Sequence, residues 1–448
     1  LASELVPKRF NEEQIPNYLF LRHCLHPQTF YQNIFAVMKP IRLFFDQKNH
    51  WRKQKDIPKP KINEPESKPF DLKEWEQLLK KVLEDQLMGD VAGGLFLSGG
   101  VDSSLLLAYI RALGKKHFPV FSLVYAEKDH SFGSEDAHFA RLAARQYEAA
   151  FHPVEMKSDQ LKRLDVFIDR LDQPIADPAA WLTEILSREA SKEVKFVLSG
   201  LGADELFAGY NRHKAYYFYL KQPLSRNLLL LAKALRLQFP EGYAHPWRKK
   251  FRLWNKLIRQ VDRNEWQTWE AFYGLAFPKP RVYKMYPSAL RKSINKRLKA
   301  ALLFDQQFFL AQNVLRSSDQ MSMQHSLELR VPYLDQRLMP KVNGLPSEQL
   351  LKPSPKWILK ELLDREGGSL FVNRKKEGFG FPFGKWIREK RFRHYLDDLP
   401  HQDSPIFQYV SPDEITKYVR AHLRHQRDFS QELWALLILQ RWIKKEFD

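Results

Sequence analysis

The stretch SGGVDSS, residues 98–104, decides the fold of this chain. It follows the short apolar run GGLFL at 93–97 and precedes an apolar stretch at 105–113 that stops at Gly114. An apolar run that enters a glycine turn and leaves as a helix is typical of a buried strand followed by a helix. Ligands of open α/β sheets bind at such turns, beyond the carboxyl ends of the strands.

The residue types in this first loop, 98–103, suit a bound phosphate. Gly99 and Gly100 let the backbone approach an anion, and the following helix offers unpaired N–H groups. Ser98 and Ser103 add hydroxyl donors, whereas Asp102 would repel phosphate and is instead expected to hold Mg²⁺. The alternative is a plain strand-to-helix turn with Ser103 as the N-cap. The loop has no lysine, which excludes a Walker loop, and its spacing differs from a dinucleotide fingerprint.

Strands and helices alternate on both sides of this turn. Asp71 and Glu74 predict the start of a helix that precedes the first strand. Apolar runs predict further strands at 119–125, 151–156 and 194–198, and helical spacing predicts helices at 134–147 and 159–170. This alternation predicts a mostly parallel α/β sheet flanked by helices. Beyond Tyr210 the chain is expected to be mainly helical.

A second glycine-rich loop follows the last of these strands. SGLGADELFAGY at 199–210 repeats the pattern of a strand, a glycine turn and acidic residues. We expect Asp204 in this second loop, 199–204, to be another Mg²⁺ ligand that faces the phosphates from a neighbouring strand end. The alternative is that Asp204 and Glu205 only cap a short helix.

The two loops and four further segments carry a family resemblance. The first loop resembles the pyrophosphate loop of ATP pyrophosphatases. All six segments, in this order, resemble the synthetase domain of glutamine-dependent asparagine synthetases: SGGVDSS, LDQPIADPAA at 171–180, VLSGLGADELFAGYNRH, SSDQMSMQHSLELRVPYLD at 317–335, KWILKELL at 356–363 and NRKKEGFGFP at 373–382. The resemblance implies an ATP-pyrophosphatase-like (adenine nucleotide alpha hydrolase) parallel sheet with a helical C-terminal part.

The resemblance also implies a chemistry and its residues. It implies adenylation of a carboxylate by ATP and its amidation, with Mg²⁺ on Asp102 and Asp204. The implied ATP site consists of Leu97, Ser98, Gly99, Gly100, Asp102, Ser103, Leu123, Ser199, Gly200 and Asp204. Leu97 and Leu123 fit equally well as sheet core. Lys376 corresponds to a lysine that would stabilise the charge on adenylate and pyrophosphate. Glu328 and Arg330 are expected beside the acyl site or as an ion pair that holds it.

The resemblance divides the chain at residue 70. Residues 1–70 resemble the last strand of a glutaminase domain, a connector and a Pro/Lys-rich linker at 49–70. Residues 71–448 form the ligase domain, with the α/β core at about 71–210 and a mainly helical part at 211–448. The N-terminal cysteine nucleophile of the glutaminase is not in this sequence, and Cys24 is interpreted as a packed thiol.

Three departures from the family pattern concern the substrate. Leu201 occupies a position where asparagine synthetases often carry an acid, Gln173 replaces a common glutamate, and Gln320 replaces an arginine. Leucine cannot manage the protons of ammonia. The resemblance makes aspartate the leading substrate hypothesis, and these departures motivate the alternative, another carboxylate such as a sugar acid, a peptide or a β-lactam precursor. The nitrogen donor is ammonia, or glutamine if a glutaminase domain or subunit takes part; a homodimer is the other partner considered.

The amino-acid composition gives expectations for the cellular compartment, membrane association and nucleic-acid binding. The single cysteine fits a reducing compartment, and no apolar run approaches the ~20 residues of a membrane span, so we expect a cytoplasmic enzyme without a membrane partner. The net charge of +19 admits nucleic acid as a partner, but charge alone supports it. Solvated basic helix faces are the favoured interpretation.

Overall fold

A five-stranded sheet forms the centre of the described chain. The computed structural model describes residues 6–37, 70–125, 134–237, 254–255, 257–275, 277, 294–372, 374, 380–401 and 403–447, and the backbone at 42–45 and 51–54. The strands are β1 (Arg42–Phe45), β2 (Trp51–Gln54), β3 (Gly93–Phe96), β4 (Pro119–Tyr125), β5 (Ala150–Met156), β6 (Phe196–Leu198) and β7 (Glu328–Arg330). The sheet has the order β5-β4-β3-β6-β7, and every neighbouring pair is parallel.

Helices make up most of the rest. In the first half they are α1 (Ile15–Leu21), α2 (Leu72–Leu87), α3 (Val101–Ala112), α4 (Ser134–Gln146), α5 (Leu164–Asp169), α6 (Pro178–Ala190), α7 (Ala203–Leu206), α8 (Asn211–Lys221) and α9 (Pro223–Ala234). In the second half they are α10 (Glu265–Tyr273), α11 (Ile294–Phe304), α12 (Arg316–Met323), α13 (Met339–Asn343), α14 (Trp357–Arg365), α15 (Ser369–Val372), α16 (Phe383–Trp386), α17 (His394–Asp397), α18 (Pro412–Leu423) and α19 (Ser430–Phe447). A π-helix, Asp305–Leu315, joins α11 to α12.

Two hydrophobic cores hold the sheet between its helices. One contains α6 and α19 with side chains such as Trp181 and Val197, and the other contains α2, α3 and α14 with side chains such as Leu95 and Leu198. Val197 and Leu198 are neighbours on one strand and therefore point to opposite faces. A parallel sheet covered on both faces explains why its strands are apolar runs rather than alternating patterns.

The predicted parallel α/β sheet is confirmed, and most element bounds agree. The Asp71 carboxylate caps α2 by accepting from the backbone N–H groups of Lys73 and Glu74, as the sequence predicted. The helix predicted at 159–170 is in fact a 3₁₀ turn, Ser158–Arg163, followed by α5. Strand β7 was not predicted, because three residues with charged ends carry no periodic signal.

The N-terminal segment packs on the ligase core. Tyr18 of α1 donates from its hydroxyl to the Ala435 carbonyl of α19 at 2.9 Å. Cys24 is buried, and burial raises its thiol pKa to about 12, which confirms a packed thiol. Within the linker predicted at 49–70, residues 51–54 form strand β2, which pairs antiparallel with β1. The rest of that linker, 55–69, lies outside the described residues.

No helix within the described residues combines the length and apolar character needed to cross a membrane.

Candidate active site

The two glycine-rich loops meet at one edge of the sheet. Strands β3 and β6 are parallel neighbours, so both loops leave the sheet from their carboxyl ends. The contact is close: a Cβ atom placed on Gly200 would lie 3.0 Å from the Asp102 Cβ and 3.3 Å from the Ser103 backbone nitrogen. A glycine at 200 therefore lets the second loop touch the start of α3.

The first loop is shaped as an anion cradle. Gly99 has φ +66°, and a Cβ there would lie 2.4 Å from the Ala140 backbone nitrogen of α4, so only glycine fits. Helix α3 begins after its N-cap residue Gly100, and the structure shows no side-chain capping bond there among the described residues. Ser103 steadies the loop because its hydroxyl accepts from the Ser98 N–H at 3.2 Å. The first turn of this twelve-residue helix offers N–H donors and a positive dipole end to a phosphate.

The second loop has a different geometry. Gly202 has φ +87°, and a Cβ there would lie 2.3 Å from the Leu334 side chain. The helix that follows, α7, has only four residues, so its dipole is small. The loop instead contributes a carboxylate, Asp204, whose side chain is 17% exposed.

Lys356 joins the two loops. Its ammonium Nζ lies 2.8 and 2.7 Å from the two carboxylate oxygens of Asp102 and 2.5 Å from Oδ1 of Asp204. The lysine side chain is only 8% exposed, and its backbone N–H donates to the Phe207 carbonyl at 3.3 Å. Sequence reasoning did not assign it to the site, although it is the first residue of the KWILKELL segment. Its place at the start of an amphipathic helix, inside a segment that matches the family, was the signal that could have found it.

Gly209 makes room for this contact. A Cβ at 209 would lie 2.1 Å from Oδ1 of Asp204 and 2.1 Å from Cε of Lys356. The Gly209 N–H also donates to the Asp204 carbonyl at 2.8 Å, which closes the turn after α7. The glycine therefore keeps the lysine and the carboxylate within ion-pair distance.

The two aspartates fit a magnesium ion bound together with phosphate. Their carboxylates come from neighbouring strand ends and converge on one cation, the Lys356 ammonium. In the part of the chain that the structure describes, no group of three or more acidic, His or Cys side chains forms a metal cage. Mg²⁺ is commonly held by one or two carboxylates plus substrate phosphates, so two converging aspartates suit it.

Behind the second loop lies a buried acidic network. The Glu205 carboxylate accepts from the Tyr210 hydroxyl at 2.7 Å, and burial, with Asp204 nearby, raises its pKa to about 7. Arg212 donates to Asp305 at 2.9 Å, and its guanidinium lies 3.9 Å from the centre of the Tyr210 ring. These contacts fix the backbone on either side of Gly209.

The other predicted nucleotide residues lie at the same edge. Leu97 and Leu123 are buried, 2% and 9% exposed, so their positions agree with either interpretation given above. The Ser199 backbone N–H donates to the Arg330 carbonyl at 2.9 Å, and its hydroxyl accepts from the Leu201 N–H. Ser98 and Gly100 lie in the cradle itself.

Two of the three residues predicted as catalytic, Glu328 and Arg330, lie apart from this contact. Glu328 and Arg330 pair with each other at 2.9 Å on the edge strand β7, and the guanidinium stacks on Phe196. The two side chains therefore form an ion pair with each other, and their relation to an acyl site stays a prediction. Lys376 lies outside the described residues.

Arg374 approaches the first loop from the C-terminal part. Its guanidinium Nη2 lies 2.6 Å from Oδ1 of Asp136 on α4 and 3.4 Å from the Ser98 carbonyl. The side chain is 2% exposed and lies over the Phe139 ring. Arg374 was not singled out from the sequence, and the structure shows that its side chain contacts both α4 and the first loop.

Comparison with known families decides the assignment. The asparagine synthase family matches residues 74–444 of this chain. The chain belongs to the asparagine synthase family. This is a family of ATP-dependent ligases, so the resemblance and the ligase class expected from the sequence are confirmed.

This chain aligns with only part of the length of each relative. The glutamine-hydrolyzing asparagine synthetase 1 of Bacillus subtilis is 27% identical over 379 residues, which are 80% of this chain and 56% of the relative. Amidase chyE of Penicillium rubens is 23% identical over 415 residues, 81% of this chain and 60% of the relative. The chain thus spans between one half and two thirds of these relatives.

The departures from the asparagine synthase pattern are now placed. Leu201 lies in the second loop, partly exposed. The Gln173 side-chain oxygen accepts from the Phe30 N–H at 3.0 Å, so it joins the N-terminal segment to the core. Gln320 lies on α12, and its Nε2 is buried without a hydrogen-bond partner. Only Leu201 borders the loop that carries Asp204.

Proposed function

We propose that this asparagine synthase family member adenylates a carboxylate with ATP and then transfers the acyl group to a nitrogen nucleophile. Aspartate and ammonia are the first candidates, and they give asparagine, AMP and pyrophosphate. The observation that carries the proposal is the convergence of Asp102, Asp204 and Lys356 beside the N-terminus of helix α3. Carboxylates, an ammonium and open backbone N–H groups are the set that a magnesium–triphosphate complex requires.

The chemistry follows from the poor leaving group of a carboxylate. A carboxylate oxygen attacks the α-phosphorus of ATP, the bond from that phosphorus to the bridging oxygen breaks, and pyrophosphate leaves. The nitrogen then attacks the acyl carbon, AMP leaves with the carbon–oxygen electron pair, and the nitrogen loses a proton to a base or to water. Activation thus makes amide formation possible near neutral pH.

Each described group has a task in these steps. The first-turn N–H groups of α3 hold the departing pyrophosphate, since they point at the anion without reorganisation. Asp102 and Asp204 would hold Mg²⁺, which neutralises phosphate charge when bound. The Lys356 ammonium contacts both carboxylates, and it stabilises the negative charge that develops on the departing pyrophosphate. Lys376 is proposed to stabilise the adenylate, and Glu328 with Arg330 to hold the edge of the acyl site.

The nitrogen source is proposed to be free ammonium for this chain by itself. Cys24 is the single cysteine of the sequence, and its buried thiol with a pKa of about 12 cannot act as a glutamine nucleophile. Glutamine serves when a glutaminase domain or subunit takes part. The purified chain is therefore expected to release no ammonia from glutamine, and glutamine hydrolysis measured on it would contradict this part.

A second candidate is amidation of a different acid. Leu201 cannot accept a proton where relatives of the asparagine synthetase type often carry an acid, and two of the similar proteins are named amidases. The substrate in this case is a sugar acid, a peptide carboxylate or a β-lactam precursor.

Acid-dependent exchange between ATP and labelled pyrophosphate separates the candidates. We expect exchange with Mg²⁺ and aspartate, and none after Asp102→Asn with the fold retained by circular dichroism. Exchange with a uronic acid or a peptide but not with aspartate would establish the second candidate. The absence of exchange with every acid, in a folded protein that binds ATP, would overturn adenylation itself.

A further inference from the structure

Helix α9 exposes a continuous stripe of leucines. Leu224, Leu228, Leu231 and Leu235 are spaced by four, three and four residues and are 80%, 66%, 54% and 61% exposed. This spacing places them on one face of the helix. The opposite face is the buried one, because Leu229 is 5% exposed and packs in the core. We call these four residues the leucine stripe.

The stripe is the main apolar surface of the described chain. Fifteen large hydrophobic side chains are exposed among the described residues, and seven of them lie between Phe218 and Trp254. A groove of about 380 Å³ runs beside the stripe, lined by Phe218, Leu228, Leu229, Trp254 and Ile258 with two smaller side chains. Clustering of this kind marks a contact surface, whereas single exposed leucines are ordinary.

The segment of sequence that carries the stripe is rich in positive charge. Residues 211–256 contain eleven Lys and Arg residues and one acid, Glu241. Of the described ones, Arg212 pairs with buried Asp305 and Arg226 pairs with Glu265. Lys221, Lys233 and Arg236 are exposed next to the stripe, and the Lys233 ammonium also donates to the Val261 carbonyl at 2.5 Å. More than half of the net charge of +19 is thus concentrated in about a tenth of the chain.

We infer that the leucine stripe and its basic surroundings bind an anionic lipid surface. Leucines with a nearby Trp and Phe bury into the acyl boundary, while Lys and Arg contact the headgroups. Such a helix lies in the plane of the interface and needs no spanning segment. The inference is independent of the proposed function, although it replaces the sequence expectation of no membrane partner.

Charge distinguishes this partner from the other candidates. Two copies that paired through the stripe would bring their surplus of positive charge together, which opposes association. A nucleic acid matches the charge, but it offers no apolar surface for leucines that are more than half exposed. An anionic bilayer satisfies both features, since apolar burial and electrostatic attraction add in interfacial binding.

Vesicle flotation of the full chain tests the inference. The probes are vesicles of phosphatidylcholine alone and of phosphatidylcholine with one third phosphatidylglycerol, at about 0.1 M and about 0.5 M NaCl. We expect binding to the phosphatidylglycerol vesicles only, weakened at the higher salt. The double variant Leu228→Gln/Leu231→Gln should lose about tenfold in affinity, because two side chains no longer insert. Lys233→Gln/Arg236→Gln should lose about threefold to tenfold.

The control is Leu370→Gln, which removes a leucine of similar exposure, 53%, from a different helix. It should bind vesicles like the parent, and all these variants should keep the parent melting temperature because the side chains are exposed. Equal binding to both vesicle types, unchanged binding by the stripe variant, or no binding would overturn the inference. It would also be overturned if sedimentation showed a dimer that the stripe variant dissolves, or if only an oligonucleotide bound.

Discussion

The two glycine-rich loops start from the same sequence pattern and end with different geometries. The first loop leads into α3, twelve residues long, and its glycine at 99 is pressed against the backbone of α4. The second loop leads into α7, four residues long, and Gly209 behind it faces two side-chain tips. The shared pattern of a strand, a glycine turn and an acid therefore predicts that a loop lies at the carboxyl end of the sheet, but it does not predict what the loop binds.

The difference assigns separate tasks to the loops. A long helix whose N-cap is a glycine can bind an anion, so we propose the first loop as the phosphate cradle. A four-residue helix is too short to bind an anion in this way. The second loop instead supplies the Asp204 carboxylate, which forms an ion pair with Lys356. The lysine then makes the two loops one site. Substitutions in each loop test whether these tasks are separate.

The largest effect is expected from the residue shared by both loops. Lys356→Gln leaves Asp102 and Asp204 facing each other without the cation, and it removes a donor for the pyrophosphate. We expect the rate of pyrophosphate release to fall about a thousandfold. Lys352→Gln, at an exposed lysine four residues earlier, is the control and should be near the parent. If Lys356→Gln released pyrophosphate at the parental rate, the ion pairs between Lys356 and the two loops would not be needed for activity.

Gly99→Ala should act on stability in the first loop. The new Cβ would lie 2.4 Å from the α4 backbone, which cannot move aside without disturbing the helix. The φ of +66° adds strain, because a residue with a Cβ rarely adopts it. We expect the free energy of unfolding to fall by about 3 kcal/mol, measured by urea denaturation. Gly344→Ala, whose Cβ would find no atom nearer than 3.4 Å, is the matched control. If Gly99→Ala were as stable as that control, the packing account of the first loop would be wrong.

Glu205→Gln should change the pH dependence of stability near the second loop. The folded state keeps Glu205 protonated up to about pH 7, whereas the unfolded residue ionises near 4.5, so folding binds a proton between these values. The free energy of unfolding therefore falls as pH rises through this window, by roughly 2 kcal/mol between about pH 5 and pH 8. The variant should remove this fall while its amide oxygen still accepts from Tyr210.

Glu328→Gln is the control for that titration. Arg330 lowers the Glu328 pKa, so any contribution of this carboxylate is lost at pH values below 4.5. Denaturation curves over the pH series should therefore change for Glu205→Gln and not for Glu328→Gln. A parental slope in the Glu205 variant would indicate that the carboxylate is already ionised at neutral pH.

The smallest effect is expected at Gly209. A Cβ there displaces the ends of flexible side chains, Asp204 and Lys356, rather than backbone. We expect about a tenfold fall in pyrophosphate release with little change in the free energy of unfolding. The pair Gly99→Ala and Gly209→Ala thus separates a glycine needed for packing from one needed for the site. If Gly209→Ala were destabilised but fully active, Gly209 would be needed for packing and not for the site.

Much of the architecture was predictable because it is encoded locally. The strands at 93–97, 119–125 and 151–156 agree with β3, β4 and β5 to within a residue, since buried apolar runs bounded by turns are a short-range signal. The N-cap at Asp71 is equally local. Strand β7 escaped notice because its pairing with β6, more than a hundred residues earlier, is what makes it a strand.

The candidate site divides in the same way. The two loops, their acids and the family could be recognised from the amino-acid sequence, because glycine turns and residue order are local features of the chain. The folded structure was needed to show that Lys356 reaches both Asp102 and Asp204, and that Glu328 pairs with Arg330. It also decided that the leucine stripe of α9 is exposed. The physical reason is that which side chains meet, and which stay in water, depends on strand order and helix packing over the whole chain.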